Sequence, residues 1–307
     1  MRGGYLEIPK GWERVSADGP GPFVTSEVLR RPDGTEVRWR SRAHRKGHAG
    51  GHPSSHASPG TKPASRADRE PTWWRPRRRN WWMSVLFALG SLCFTVAALA
   101  AQWASVSRPG IGVTFFVGSL LFTSAAYLQY SETVNVERGV GSRARHARWR
   151  PASWEPRRID WLAAAVQLIG TIFFNLSTFA AMKHGLDTRQ VNTRVWGPDA
   201  LGSICFLLSS ELAYAEVCHR WICLKLRSLS WRIVMLNLLG SLAFGAAAIA
   251  SLLEPASGEP LSARLANGGT AVGGLCFLVA ALALMAEAAS EEHAAPVELS
   301  APLTPSG

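Results

Sequence analysis

Glu211 is the residue whose position most calls for chemistry. It lies twelve residues into an apolar run that begins near Asp199 and ends near Cys218. A carboxyl group at bilayer depth is costly, and such residues mark ion or solute paths by default. Gln167, Thr171, Asn175 and Thr178 follow one another at spacings of 4, 4 and 3 in the preceding run, so they share one helical face. Ser203, Ser209 and Ser210 surround Glu211 in sequence, and Asn237 lies one run further on. Two expectations follow for this candidate intramembrane polar site. One is a protonation-coupled solute or ion path through Glu211 and the Gln167/Asn175 face. The other is a neutral Glu211 bonded to Gln167, Asn237 or Tyr214, which holds a bundle together. The positions equivalent to Glu211 elsewhere in the chain are Tyr127 and Leu282, so no symmetric ring of acids forms an ion filter.

These residues sit in six apolar runs, at approximately 81–103, 111–131, 161–182, 199–218, 231–253 and 267–288. Each run is near the ~20 residues that carry a helix across ~30 Å of hydrocarbon. The runs pair through short connections into three tandem hairpins, and a tripled pattern ties the hairpins together. Trp81, Trp161 and Trp231 precede Gly90, Gly170 and Gly240 by nine residues, and Phe94, Phe174 and Phe244 follow those glycines by four. In the second run of each pair, Gly118, Gly202 and Gly273 open similar Gly-x-x-x-Phe segments, and Glu132, Glu216 and Glu287 come fourteen residues later. Close packing at small residues holds helices together in lipid, so the six glycines are expected as helix contacts. Asn80, Asp160 and Ser230 are N-cap candidates, as are Asp199 and Asn267. Arg77, Arg157 and Arg227, the repeated Trp residues and the three glutamates are expected as interfacial anchors, each glutamate bridged to a flanking Arg or Trp.

Charge sets the orientation. Residues 1–80 carry 17 Lys+Arg against 8 Asp+Glu, and the connections at 132–160 and 219–230 add seven and three more basic residues. The three other connections hold five together. By the positive-inside rule both termini are expected to be cytoplasmic. The net charge of +11 therefore points to anionic lipid at the flanks rather than to nucleic acid. The Arg/Trp cluster at 73–82 is likewise assigned to the membrane interface. Within residues 1–43, Pro32-Asp33-Gly34 stands between Val28 and Val37/Trp39, which suits a β-hairpin in a small soluble segment. Residues 44–72, rich in His, Gly, Pro and Arg, are expected as a disordered linker, and their regularly spaced His44, His48, His52 and His56 are interrupted by glycines and a proline that disfavour a metal-binding helix. Cys93, Cys205 and Cys276 are expected as small apolar thiols and Cys218 and Cys223 as unmodified ones. No phosphate loop, metalloprotease helix, nucleophile elbow or acid/base pair is present, so no enzyme activity, cofactor or metal is expected.

The run Asn80–Glu132, with Trp81-Trp82, Leu86-Phe87, Gly90-Ser91, Phe94 and then Phe115-Phe116 with Gly118–Phe122, resembles the YrhK-like membrane domain, a helical-hairpin module of unknown function. The segments Gly170–Asn175 and Pro198–Phe206 are similar to longer bacterial proteins that carry the module in several copies, and the likeness covers roughly residues 75–290. The resemblance implies no activity. Gly274 departs from it where Ser119 and Ser203 stand in the other copies. The high Ala, Arg and Gly content fits a bacterial source.

The sequence thus predicts an all-α integral membrane protein of the cell membrane: six transmembrane helices, a small basic N-terminal region and a linker. The expected division is 1–43, 44–72, a first hairpin at 73–135, a basic cytoplasmic connection at 136–160, a second hairpin at 161–218, a third at 219–290 and a disordered tail at 291–307. The leading function is a non-enzymatic structural or interaction module, with the lipid bilayer and further copies of the chain as partners. A small-solute or proton-coupled transporter is the alternative.

Overall fold

A computed structural model describes residue 8 and residues 10–45, 79–102, 107–135 and 149–291. Most of the 44–72 linker, Arg77, Trp73, Trp74, most of the 136–160 connection and the C-terminal tail beyond 291 lie outside the described residues. The described chain is mostly helical, with six helices long and apolar enough to cross a membrane.

At the N-terminus, strands β1 (Glu13–Asp18), β2 (Ser26–Arg30) and β3 (Glu36–Arg40) form an antiparallel sheet in the order β1-β2-β3. The expected β2–β3 hairpin turns at Pro32-Asp33-Gly34, where Gly34 adopts φ +84° and the Asp33 carboxylate accepts the Thr35 amide and hydroxyl. A two-stranded hairpin is marginal alone; β1 supplies the third strand. Leu29 and Trp39 pack with Ile8 and Trp12 as a small core. Glu27 is buried in the sheet and takes Arg14 at 3.2 Å. The chain passes directly from β3 into a five-residue helix, α1 (Ser41–Arg45).

The apolar helices are α2 (Arg79–Ala100), α3 (Arg108–Val134), α4 (Ile159–Ala181), α6 (Gly197–Cys218), α7 (Leu229–Ser251) and α8 (Ala263–Glu291). A short α5 (Thr188–Val191) and a π-helical turn (Asn192–Trp196) lead into α6. The six pack in one closed ring: α2 on α3, α3 on α4, α4 on α6, α6 on α7, α7 on α8, and α8 back on α2. Their outward surfaces carry exposed aliphatic stripes, such as Leu89, Leu92 and Val96 on α2 and Ile169, Ile172 and Leu176 on α4. An apolar surface of this extent suits hydrocarbon, which imposes no penalty for it.

Inside the ring, six phenylalanines fill the axis. Phe94, Phe174 and Phe244 form one triangle, with ring centroids 5.9–6.2 Å apart. Phe122, Phe206 and Phe277 form a second, at 5.7–6.0 Å. Vertical edges of 5.6, 5.1 and 5.4 Å join the triangles into a prism. Most of these pairs meet edge to face, the geometry that the ring quadrupole favours, worth about 0.5–1.5 kcal/mol per pair beyond burial. The glycine of the facing helix makes room for each ring. A Cβ at Gly90 would stand 2.7 Å from Phe122, one at Gly118 3.1 Å from Phe94, and one at Gly170 2.9 Å from Phe206. Gly202 faces Phe174, Gly240 faces Phe277, and Gly273 faces Phe244 in the same way. At each pair the Cβ would also meet the partner glycine's carbonyl oxygen at 3.0–3.2 Å, so the backbones nearly touch.

Seams between the pairs are polar where the helices permit. Ser119 on α3 meets Thr178 on α4 at 3.0 Å, and Ser210 on α6 meets Ser241 on α7 at 2.8 Å. Gly274, the departure from the sequence pattern, faces α2, where a Cβ would lie 2.5 Å from the Thr95 hydroxyl and 3.0 Å from the Thr95 amide. Closing the ring is what removes the side chain at this position.

The caps differ from expectation. Helix α7 is capped by Ser228, whose hydroxyl accepts the Trp231 amide, so Ser230 sits inside the first turn. Helix α4 begins after Arg158, which leaves Asp160 in its first turn, and Asp199 and Asn267 likewise fall inside α6 and α8. In each case a donor outside the helix claims the side chain, or the helix starts earlier than the apolar run does.

Gly273→Ala forces a methyl group against Phe244 at 2.6 Å and against a backbone oxygen at 3.0 Å. Overpacking of this kind costs about 1–3 kcal/mol, and a lowered unfolding midpoint in detergent is the expected result, with Gly245→Ala, where a Cβ meets nothing within 4 Å, as the control.

Candidate functional site at the basic end of the bundle

One end of the ring holds the starts of α2, α4 and α7 and the ends of α3, α6 and α8. There the three glutamates that sequence spacing singled out converge. Glu216 and Glu287 are each 2% exposed, and Glu132 is half-buried. Glu216 and Glu287 are reached by residues remote in sequence from the expected flanking Arg and Trp. Helix α1 enters the mouth of the ring instead. The Ser41 hydroxyl donates to Glu216 Oε1 at 2.6 Å, and Arg45 reaches Glu216 Oε2 at 3.3 Å and Asp160 Oδ2 at 3.8 Å. Arg42 reaches Glu287 Oε2 at 3.1 Å, while Ser230 donates to Glu287 Oε1. Asp160 is further held by Arg158, which donates to both of its oxygens at 3.1 and 2.6 Å and also to Glu155 at 2.7 Å. Buried charges persist only when paired and hydrogen-bonded, and Asp160, Glu216 and Glu287 each have donors of this kind. Burial opposes the charge on Arg45, but Glu216, Asp160 and Glu132 overcome it, so the guanidinium titrates even higher than usual.

The sheet rests on the same end. Thr25 Oγ1 lies 2.8 Å from Nδ1 of His219, which closes α6 in a left-handed conformation at φ 59° and donates its amide to the Glu216 carbonyl. Gly21 packs over the Trp221 indole. Burial, with Lys225 and Arg40 adding to it, pushes the His219 pKa down against the opposing pull of Glu216 and Asp18.

The Trp residues expected as interfacial anchors divide. Trp161 and Trp231 are buried, and each donates its indole N–H to a backbone oxygen, Ser153 at 3.1 Å and Cys223 at 3.2 Å. Tyr130 and Tyr214 donate to the same two oxygens. Each tyrosine precedes its glutamate by two residues, a Tyr-x-Glu signal that the sequence carried and that went unused. Trp81 is half-buried, whereas Trp82, Trp154 and Trp221 are exposed. Arg157 and Arg227 are exposed beside them. Cys218 and Cys223, expected as unmodified thiols, are joined in a disulfide with Cα atoms 5.6 Å apart; Cys93, Cys205 and Cys276 are free. The chain turns back at His219 just after α6, which brings the two sulfurs, five positions apart in sequence, within bonding reach.

The intramembrane polar site is not assembled as one. Gln167 accepts from Gln129 of α3 at 3.2 Å and from Ser209 of α6 at 3.4 Å, Asn175 donates to Thr123 at 2.9 Å, and Thr178 meets Ser119, so this face of α4 turns mainly to α3. Buried Thr171 bonds the Leu168 carbonyl in its own helix. Asn237 offers its backbone oxygen to Ser210 and Ser241. Glu211 stands apart from all of them. It follows Ile204 and Leu208 by seven and three residues on the outward stripe of α6, where both are more than half exposed. Glu211 is itself half-buried, while its equivalents Tyr127 and Leu282 are exposed. A helical wheel drawn with Ser210 inward places Glu211 about 100° away, and that rotation is what separates it from the polar seam.

No family model, curated protein or solved structure matches this chain.

Depression of the His219 pKa means that the contribution of this residue to docking of the sheet is fully present above the ordinary histidine value of about 6.5 and is lost as pH falls from there through the lowered one. Amide exchange at Thr25 and Val28 should quicken on acidification to about pH 5, and His219→Asn, which tolerates the left-handed backbone and does not titrate, should flatten that response.

Proposed function

We propose that this chain is a non-enzymatic, multi-pass module of the cell membrane, built as three tandem helical hairpins of the YrhK-like kind, with both termini cytoplasmic. The hairpins pair α2 with α3, α4 with α6 and α7 with α8 through their glycines. The module packs with lipid, with copies of itself or with partners, rather than moving a solute through its centre. The observation that carries this reading is the phenylalanine prism, which fills the axis where a symmetric pathway would run. Glu211 supports it further, because it follows Ile204 and Leu208 on the exposed apolar stripe of α6 and not the Gln167/Asn175 face.

The basic end suits an anionic headgroup layer. Arg157, Arg220, Lys225 and Arg227 lie among exposed Trp154, Trp221, Ile222 and Leu224. Lys and Arg near such a surface contribute about 1 kcal/mol each, and indole rings favour the headgroup depth. This end would face the cytoplasm, as the basic excess of the sequence suggests.

Proteoliposomes loaded with a pH-sensitive dye test the reading. Wild-type and Glu211→Gln protein should both give the proton leak of protein-free vesicles. A flux well above that background, lowered about tenfold or more by Glu211→Gln, the size of effect that loss of an essential proton carrier produces, would return the molecule to the transporter class.

A further inference from the structure

The contacts between the described side chains of α1 and the bundle are of one kind. Among the described side chains of α1, Ser41, Arg42 and Arg45 reach the bundle, and all three do so through polar bonds to Glu216, Glu287 and Asp160. A five-residue helix does not hold itself together in water, so α1 owes its shape to the mouth that receives it. Two of the three carboxylates of that mouth, Asp160 and Glu287, have donors outside α1. Asp160 is fixed by Arg158, Glu287 by Ser230, and Glu216 is carried by the last turn of α6, whose end is set by His219. The acceptors are also spread as a planar fork requires. Two different nitrogens of Arg45 face two different carboxylates on α4 and α6, and Arg42 takes a third on α8. A compact ammonium could satisfy one of these at a time, whereas a guanidinium spans two.

We propose that the basic-end mouth of the bundle is a guanidinium-recognition site and that α1 is its tethered occupant, so that an arginine-bearing peptide segment of a partner protein takes the same seat when α1 leaves it. Residues 46–78 connect α1 to α2, a length of chain that lets the N-terminal unit leave the mouth while remaining attached. A tethered occupant raises the threshold for a competitor through its effective concentration. The partner segment must therefore bring several arginines or a second contact of its own. The inference goes beyond the proposed function and does not depend on which side of a membrane this end faces.

The test uses full-length protein in detergent with a protease site introduced between residues 50 and 70. After cleavage the N-terminal piece of the wild type should co-elute with the bundle on size exclusion. Argininamide at about 20 mM should release at least about threefold more of the piece than methylammonium at the same ionic strength, where screening is equal. Arg42→Ala/Arg45→Ala protein should release the piece without any added cation. Equal release by the two cations would reduce the contact to unspecific charge screening and overturn the proposal. Retention of the piece by the double variant would overturn it as well. Should the double variant fail to fold, the comparison of the two cations on wild type decides alone.

Discussion

The glycine–phenylalanine interlock is the contact on which the rest of the bundle depends. Two helices in lipid gain little from hydrophobic attraction, so their adhesion must come from atoms that fit. Here the absence of a Cβ on one helix is the space for an aromatic ring on the next, and the relation is reciprocal in each of the three pairs. The same six rings then meet on the axis, so each ring serves both a helix pair and the centre of the ring of helices. Loosening one pair would also withdraw a corner of the prism.

That dense centre shifts interest to the end of the bundle. The axis is closed by hydrocarbon, but the basic end gathers Glu132, Asp160, Glu216 and Glu287 in a small volume. Such a cluster requires cations, and the chain supplies them from two directions, Arg158 from the connection before α4 and Arg42 and Arg45 from the N-terminal unit. The sheet has a mechanical part in this. Its last strand runs straight into α1, the Ser41 amide is bonded back to the Thr25 carbonyl at 2.9 Å, and Thr25 itself touches His219. Placing the sheet on His219 therefore places the arginines.

Much of the helical architecture was legible because its determinants are local. Six apolar runs, six Gly-x-x-x-Phe segments and three glutamates at fixed spacing are visible in one dimension, and the β2–β3 hairpin announces itself through Pro32-Asp33-Gly34. What spacing cannot convey is rotation. Gln167 and Glu211 belong to neighbouring helices and look equally intramembrane in sequence, but one turns to a seam and the other is half-buried beside the exposed stripe of α6. Partners far apart in the chain were also hidden. Arg45 and Glu216 are separated by 171 positions, and an arginine in a basic stretch carries no mark of the acid it will meet. The indole bonds of Trp161 and Trp231 were hidden as well, since a carbonyl eight residues earlier fixes each ring.

Closure of the ring by α8 on α2 also bears on the order of assembly. The first and last spans are the ones that must meet, so the surface of α2 around Ser91 and Thr95 stays uncovered until the final span has been synthesised. Every other seam joins helices that are adjacent in the chain and can form as they emerge. The seam of highest sequence separation is then the last to form and the slowest to nucleate, since loop closure precedes any gain from contact. A chain halted before α8 would keep five helices in an open arc, with a serine-bearing groove facing lipid.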